Sequence, residues 1–296
     1  MSTPSRSLLR RGLGYGLFAL LSFLVSLYWT FDYSLLIPRF SQLLRQATGS
    51  EVRIEELSGY HLSGVRIAGL TLTPPGLSAG STAENSLTID QMTLRVRLLP
   101  LLIGRQNVSF SARLAGGGIE GRVWKKGTEA KMNVQVKGLL LDRIGLDPWL
   151  GPGAIRLGGK LEGRADLAAQ DLSNPAKWAG EIELQLGSGK VYPFKVQGVP
   201  VEEIAYSRGE LKLKIKDGSA NLETLKLLGP DLPLDIKGSV SLRAPLYQSY
   251  LDIAGTVEAS ADYKKKMPLL ADLLPPEKKF TYQGSLAALM GALKSY

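Results

Sequence analysis

The 296-residue chain contains no cysteine and a single histidine, His61. The first absence excludes disulfides, thiolate metal sites and cysteine nucleophiles together. It carries no message about compartment, because an exported chain can simply lack disulfides. The second leaves no HxxxH or HExxH pair, and a serine triad would have to take its base from His61 alone. His61 stands between Tyr60 and Leu62 and reads as a turn residue.

Phosphate-loop chemistry is missing too. GSGK at 187–190 has Leu184 where the first glycine is required and Val191 where Ser or Thr should follow. GPGAIRLGGKLEG at 151–163 reads as a strand whose glycines permit bends or close backbone packing. The adjacent acids Glu55–Glu56 and Glu202–Glu203 point to opposite faces of a strand and form no dyad. No catalytic, cofactor-binding or metal-ligating residue is nominated, and a non-enzymatic protein is expected.

Acids are fewer than bases, 27 against 36, for a net charge of +9. The excess forms neither a basic helix nor the aromatic-and-basic strand of an RNA-binding sheet. It alternates with apolar residues, as in GELKLKIKDG at 209–218, the pattern of a solvated face. Nucleic acid is not expected as a partner. The short Lys264–Lys266 run would suit anionic lipid headgroups.

Only one long uncharged run occurs, Gly12 to Phe31, preceded by Arg6, Arg10 and Arg11. About 20 such residues span the ~30 Å hydrocarbon core as a helix. Its apolar residues include Leu17, Phe18, Leu20, Leu21, Phe23, Leu24, Val25 and Trp29. A cleaved signal would carry a core of ~7–15 residues and small residues at its end. This run ends instead in Tyr28, Trp29, Phe31 and Tyr33, an interfacial aromatic belt, which favours a retained anchor. The arginines place residues 1–11 in the cytoplasm and the bulk of the chain across the membrane, periplasmic in a Gram-negative cell. Gly12 and Gly16 form a small-xxx-small pair able to let two anchors pack closely. Residues 32–50 follow as an amphipathic helix, with Leu36, Phe40, Leu43, Leu44 and Ala47 at helical spacing and Gly49 as its stop. Packing on the sheet is its expected fate.

From residue 52 onward the dominant period is two. In VRIEELSGYHLSGVRIAGLTLTPPG (52–76), Val65 and Ile67 share a register that switches at Gly69 to Leu70 and Leu72. Leu87 and Ile89 switch near Gln91 to Met92, Leu94 and Val96. Such switches predict bulges or tight bends that keep the apolar face inward. Further alternations cover 108–114, 132–136, 155–167, 182–186, 211–215, 232–242 and 251–257, and Asp217-Gly218 marks a hairpin. Helical interruptions are expected only near 139–150 and 267–276, with a turn at 174–180. One apolar and one charged face predict an antiparallel sheet covered on one side. No linker divides residues 51–296. The candidate apolar groove or core face comprises Val65, Ile67, Leu94, Val96, Leu157, Leu161, Leu234 and Ile236.

SLTIDQMTLRVRLLPLLIGRQNVSFSARLAGGGIEGRV (86–123) resembles the AsmA-like superfamily of envelope proteins with one membrane anchor. Together with the anchor ending YWTFDY, the 52–76 stretch and DGSANLETLKLLGPDLPLDIKGSVSLRAPLYQSYLDIAG (217–255), the chain more narrowly resembles the type II secretion system protein N family. The resemblance implies a single transmembrane helix followed by a long curved antiparallel, AsmA-like sheet with few short helices. It implies a bitopic inner-membrane protein that assists secretion through contacts with other secretion subunits, and it offers no catalytic residues to carry over. The alternative is a lipid-binding or lipid-transfer protein of the envelope, since AsmA-like relatives resemble grooves that carry acyl chains.

Overall fold

The computed structural model describes Tyr15, Phe18, Ala19, Ser22, Phe23 and Ser26, then residues 30–61, 63–73, 86–101, 103–144, 156–171, 174–196, 199–243, 248–268, 278–286, 288 and 293–295. The strands are β1 (Glu51–Tyr60), β2 (Gly64–Thr73), β3 (Leu87–Val96), β4 (Gln106–Leu114), β5 (Gly117–Lys126), β6 (Glu129–Leu140), β7 (Leu157–Ala169) and β8 (Trp178–Val191). They continue as β9 (Phe194–Val196), β10 (Val199–Val201), β11 (Ile204–Tyr206), β12 (Arg208–Lys216), β13 (Ser219–Leu228), β14 (Leu234–Ser241), β15 (Tyr250–Val257), β16 (Lys279–Ser285) and β17 (Leu293–Ser295).

Fourteen of these strands form one open antiparallel sheet. Its order is sequential from β1 to β8 and from β12 to β16; β11 pairs the far end of β8. A second sheet has the order β10-β9-β17. The order is simple because each alternating segment is followed by a tight turn, which brings the next strand back alongside. Asp217 and Gly218 make the two-residue turn between β12 and β13, both at positive φ (50° and 77°), the primed geometry that matches strand twist.

The expected parity switch in β2 occurs at Gly69, φ 62°, and it runs across three strands. Ile54, Leu70 and Ile89 are paired on one side of the break, and Leu57, Ile67 and Met92 on the other. The row Glu55, Gly69, Asp90 lies between them, so all three strands change parity together and the apolar side chains stay on one face. A Cβ at Gly69 would fall on the Glu55 side chain, which explains the glycine.

A 3₁₀ turn, Tyr33–Leu36, leads into helix α1 (Ile37–Thr48), which ends at Gly49 in the left-handed conformation, φ 69°. Tyr33, Leu36, Ile37, Phe40 and Leu44 pack on Ile54, Leu57, Ile67, Leu70 and Leu72, a cluster in which Ile67 and Leu70 are completely enclosed. Burying each such side chain stabilises by about 1.5–3 kcal/mol. Leu43, expected on the packed side, faces solvent instead, because the apolar stripe follows 33, 36, 37, 40 and 44.

The helix expected near 139–150 is corrected over its described residues. β6 runs on to Leu140 and only a 3₁₀ turn, Leu141–Arg143, follows; residues 145–150 lie outside the described residues. A short helix not expected from the sequence, α2 (Ala261–Lys266), is capped by the Ser260 hydroxyl, which accepts from the Tyr263 amide. It forms because Ser260 is a good N-cap and Tyr263 is buried against Val201, Ile204 and Tyr206. Of the helix expected near 267–276, Pro268 is helical and residues 269–277 lie outside the described residues. The turn at 174–180 is a 3₁₀ turn at Pro175–Lys177, after which Trp178 already begins β8.

Of the segment 12–31, the described residues Tyr15, Phe18, Ala19, Ser22, Phe23, Ser26 and Thr30 are helical, and the Thr30 hydroxyl donates to the Ser26 carbonyl at 2.8 Å. Phe18 and Phe23 are exposed. Leu17, Leu20, Leu21, Leu24, Val25 and Trp29 lie outside the described residues, as do residues 1–11 and the Gly12–Gly16 pair. No helix among the described residues is long and apolar enough to cross a membrane.

Candidate functional site

Directly opposed residues on neighbouring strands share a face, so the pairing can be followed across the sheet. One row reads Leu57, Ile67, Met92, Ala112, Ile119, Val136, Gly163, Leu184, Leu211, Leu225, Ile236, Gly255 and Phe280. It crosses every strand of the sequential path from β1 to β16 without one polar side chain. A second reads Val65, Leu94, Phe110, Gly121, Val134, Ala165, Ile182, Leu213, Leu222, Gly238, Ile253 and Tyr282. A third begins Val96, Val108, Val123, Met132, Leu167 and a fourth joins Leu139, Leu161, Leu186, Gly209, Leu227, Leu234 and Val257. At ~4.8 Å per strand the longest row follows a contour on the order of 60 Å.

The candidate face is thereby placed residue by residue. Ile67 and Ile236 stand in one row, nine strands apart in contour; Val65 and Leu94 oppose each other in the second; Val96 starts the third; Leu161 and Leu234 share the fourth. Leu157 departs from the expectation. It opposes Val191 at the start of β7 but is 37% exposed and outside the buried clusters, because the bulge between Gly159 and Leu161 separates it from that row.

Coverage of this face is uneven. α1 encloses its β1–β3 end. A second cluster, Ala112, Leu114, Leu139 and Ile144, closes the ends of β4 to β6. A third gathers Val191, Phe194, Val201, Ile204, Tyr206, Ala259, Tyr263 and Met267 under the small sheet and α2. Between them Phe110, Val123, Met132, Val134, Ile182, Leu184, Leu211 and Leu213 are only half-buried. Glycines in the rows lie beneath rings: a Cβ on Gly121 would stand 2.5 Å from Phe110 Cζ, and one on Gly255 2.9 Å from Phe280 Cζ. Each ring fills the space that the glycine leaves on the next strand.

The opposite face is polar. One of its rows reads Arg95, Ser109, Arg122, Asn133, Asp166, Glu181, Lys214, Asn221, Ser239, Asp252 and Gln283. Cross-strand pairs lace it together: Arg164 with Glu183 at 3.0 Å, Lys137 with Glu120 at 3.0 Å and Lys214 with Glu181 at 3.5 Å. A 450 Å³ depression on this side is bounded by Trp124, Lys131, Ala168 and Ala179, where alanines replace long side chains.

Sequence reasoning missed a polar clasp at the far end of β7 and β8. The Tyr192 hydroxyl donates to Asp142 Oδ1 at 2.7 Å and the Gly159 amide to Oδ2 at 3.0 Å. The Tyr192 hydrogen bond, foremost, holds the Asp142 carboxyl below its ordinary range, and the same bond pushes the Tyr192 phenol up. Arg156 lies 4.8 Å and Lys190 4.9 Å from the Tyr192 ring centre, and Lys190 also pairs with Glu203 at 2.9 Å. These partners are 50 residues apart, so no local motif could reveal them. Their arrangement ties the Leu141–Arg143 turn to the start of β7 and to the residue after β8.

His61 occupies the β1–β2 turn at φ 52°, exposed and edge-on to Tyr60 at 4.3 Å. GSGK at 187–190 lies inside β8. Of the Lys264–Lys266 run, Lys266 pairs with Glu202 at 3.0 Å on α2. Among the described residues no three His, Asp or Glu side chains are grouped to hold a metal ion.

No protein-family model, curated protein or solved structure matches the chain.

Proposed function

We propose that the protein is a non-enzymatic component of the bacterial envelope, held in the inner membrane by residues 12–31. Its sheet stands in the periplasm, where it assists type II protein secretion by contact with other secretion subunits. The observation that carries this reading is the open sheet, whose path ends at β1 and β16, each paired on one side only among the described residues. An unpaired strand edge accepts a partner strand through main-chain hydrogen bonds. The sequence resemblance over about residues 10–290 names the assembly. Deletion of the gene in its native host tests it: secreted enzymes should accumulate in the periplasm. Unchanged export would remove the secretion role.

One observation favours a second reading, a lipid-handling protein. The half-buried stretch from Phe110 to Leu213 is an apolar surface wide enough, at two to three rows, for acyl chains. Lipid mass spectrometry after mild detergent extraction separates the two. Stoichiometric bound lipid supports this reading, and lipid at background level argues against it.

A further inference from the structure

Among the described residues of the sheet domain, the two most exposed large apolar side chains, Ile103 and Leu98, lie in one turn together with the exposed Leu101. Between β3 and β4 the chain reads RLLPLLIGR, 97–105, and Leu98 is 55%, Leu101 40% and Ile103 65% exposed. The turn is not loose. The Ile103 amide donates to the Pro100 carbonyl at 3.2 Å, Gly104 to Leu101 at 3.0 Å and Arg105 to Pro100 at 2.9 Å, while the Arg97 amide closes its base on Asn107 at 2.9 Å. A preformed apolar knob therefore projects from the sheet, bracketed by Arg97 and Arg105. Both arginines are exposed and in no ion pair among the described residues.

The position of this knob relative to the N-terminal segment gives it meaning. Tyr33 rests on Gly59, near the end of β1; Gly59 opposes Val65, and Val65 opposes Leu94, three residues before Arg97. The Val96 amide bonds the Ser63 carbonyl of the neighbouring β1–β2 turn at 3.0 Å. The chain thus touches the sheet through Tyr33, just after residues 12–31, at the same end that carries the knob, before α1 runs back to the start of β1. Tyr60 and Arg66, in contact at 5.1 Å, lie at this end as well.

We infer that the 97–105 turn is a second membrane contact: Leu98, Leu101 and Ile103 enter the interfacial layer while Arg97 and Arg105 bind anionic lipid phosphates. Exposed leucine and isoleucine flanked by arginine is the chemistry of an interfacial anchor, and a basic residue near an anionic surface is drawn to it. The turn works with the helix as a two-point mount. The helix alone leaves the sheet free to swivel; the second contact sets its end on the bilayer and its strands away from it. The inference rests on the membrane anchor proposed above.

The chain has no native cysteine, so single-site labelling is direct. The full chain carrying Leu101→Cys or Ile103→Cys, labelled with NBD, is reconstituted into phosphatidylcholine vesicles with and without phosphatidylglycerol. Arg113→Cys, exposed at the opposite end of β4, serves as reference. In vesicles that float with the protein, the 101 and 103 probes should shift to the blue. Lipid-borne spin labels should quench them several-fold more than the 113 probe, and Arg97→Gln with Arg105→Gln should reduce that quenching only where phosphatidylglycerol is present. Floating protein whose 101 and 103 probes are as open to aqueous iodide as the 113 probe overturns the second contact alone. A chain that fails to float overturns the anchor and this inference with it.

Discussion

The ring of Tyr33 lies on the backbone of Gly59, close enough that a Cβ there would be 2.7 Å from Tyr33 Cζ. This contact joins the segment before α1 to the first strand of the sheet, and Phe31 packs edge-on against the same ring at 5.1 Å.

Gly59→Val should displace that ring and lower stability by about 1–2 kcal/mol. In a Tyr33→Ala background the same substitution should cost much less, since the clash has gone. Thermal unfolding of the four proteins in detergent reads the cycle. Equal costs in the two backgrounds would refute the contact.

Two positions on the apolar face should respond differently to charge. Ile67 is wholly enclosed under α1, so Ile67→Asp should cost about 3–5 kcal/mol by burying an unpaired carboxylate. Val96 is half-buried at the end of the third row, where an aspartate can reach water, and Val96→Asp should cost about 1–2 kcal/mol. Urea midpoints distinguish them. Comparable losses would mean that both positions are enclosed.

The clasp at Asp142 has a sign in pH. Its carboxyl titrates below the ordinary 3.8, so the clasp stabilises the folded chain above about that pH and the contribution fades as acid protonates Asp142 below it. Asp142→Asn should therefore lower the melting temperature at pH 6, and the gap to wild type should narrow below pH 4. A gap that is constant from pH 6 to pH 3 would exclude the carboxylate as the cause.

Much of the sheet was legible because its period of two is uninterrupted in β4, β12 and β15 and over Ala130–Val136 and Ile182–Leu186, and the Asp217-Gly218 turn and the Gly69 switch fall where the pattern puts them. β5 was harder to read, since Gly121 stands on its apolar face between Ile119 and Val123 and breaks the alternation. In β13 the bulge between Leu222 and Leu225 reverses parity midway. The short strands β9, β10 and β11 hold only three residues each, too few for a period. The candidate face was readable as one parity per strand, yet its rows were not. They depend on register between strands, which only the paired structure supplies. Leu157 shows the limit: its own alternation assigns it to the face and it opposes the buried Val191, yet at the start of β7 it is exposed.

The central claim, action by contact within the secretion apparatus, is tested most directly by photo-crosslinking in the native host. A benzophenone amino acid is placed at Thr281 or Gln283 on the edge strand β16, and at Lys137 within the polar face as reference. Crosslinks from the edge to type II secretion subunits, absent from position 137, are the predicted result. An edge that captures no secretion subunit, in cells whose export is also unaffected by deletion, would contradict it.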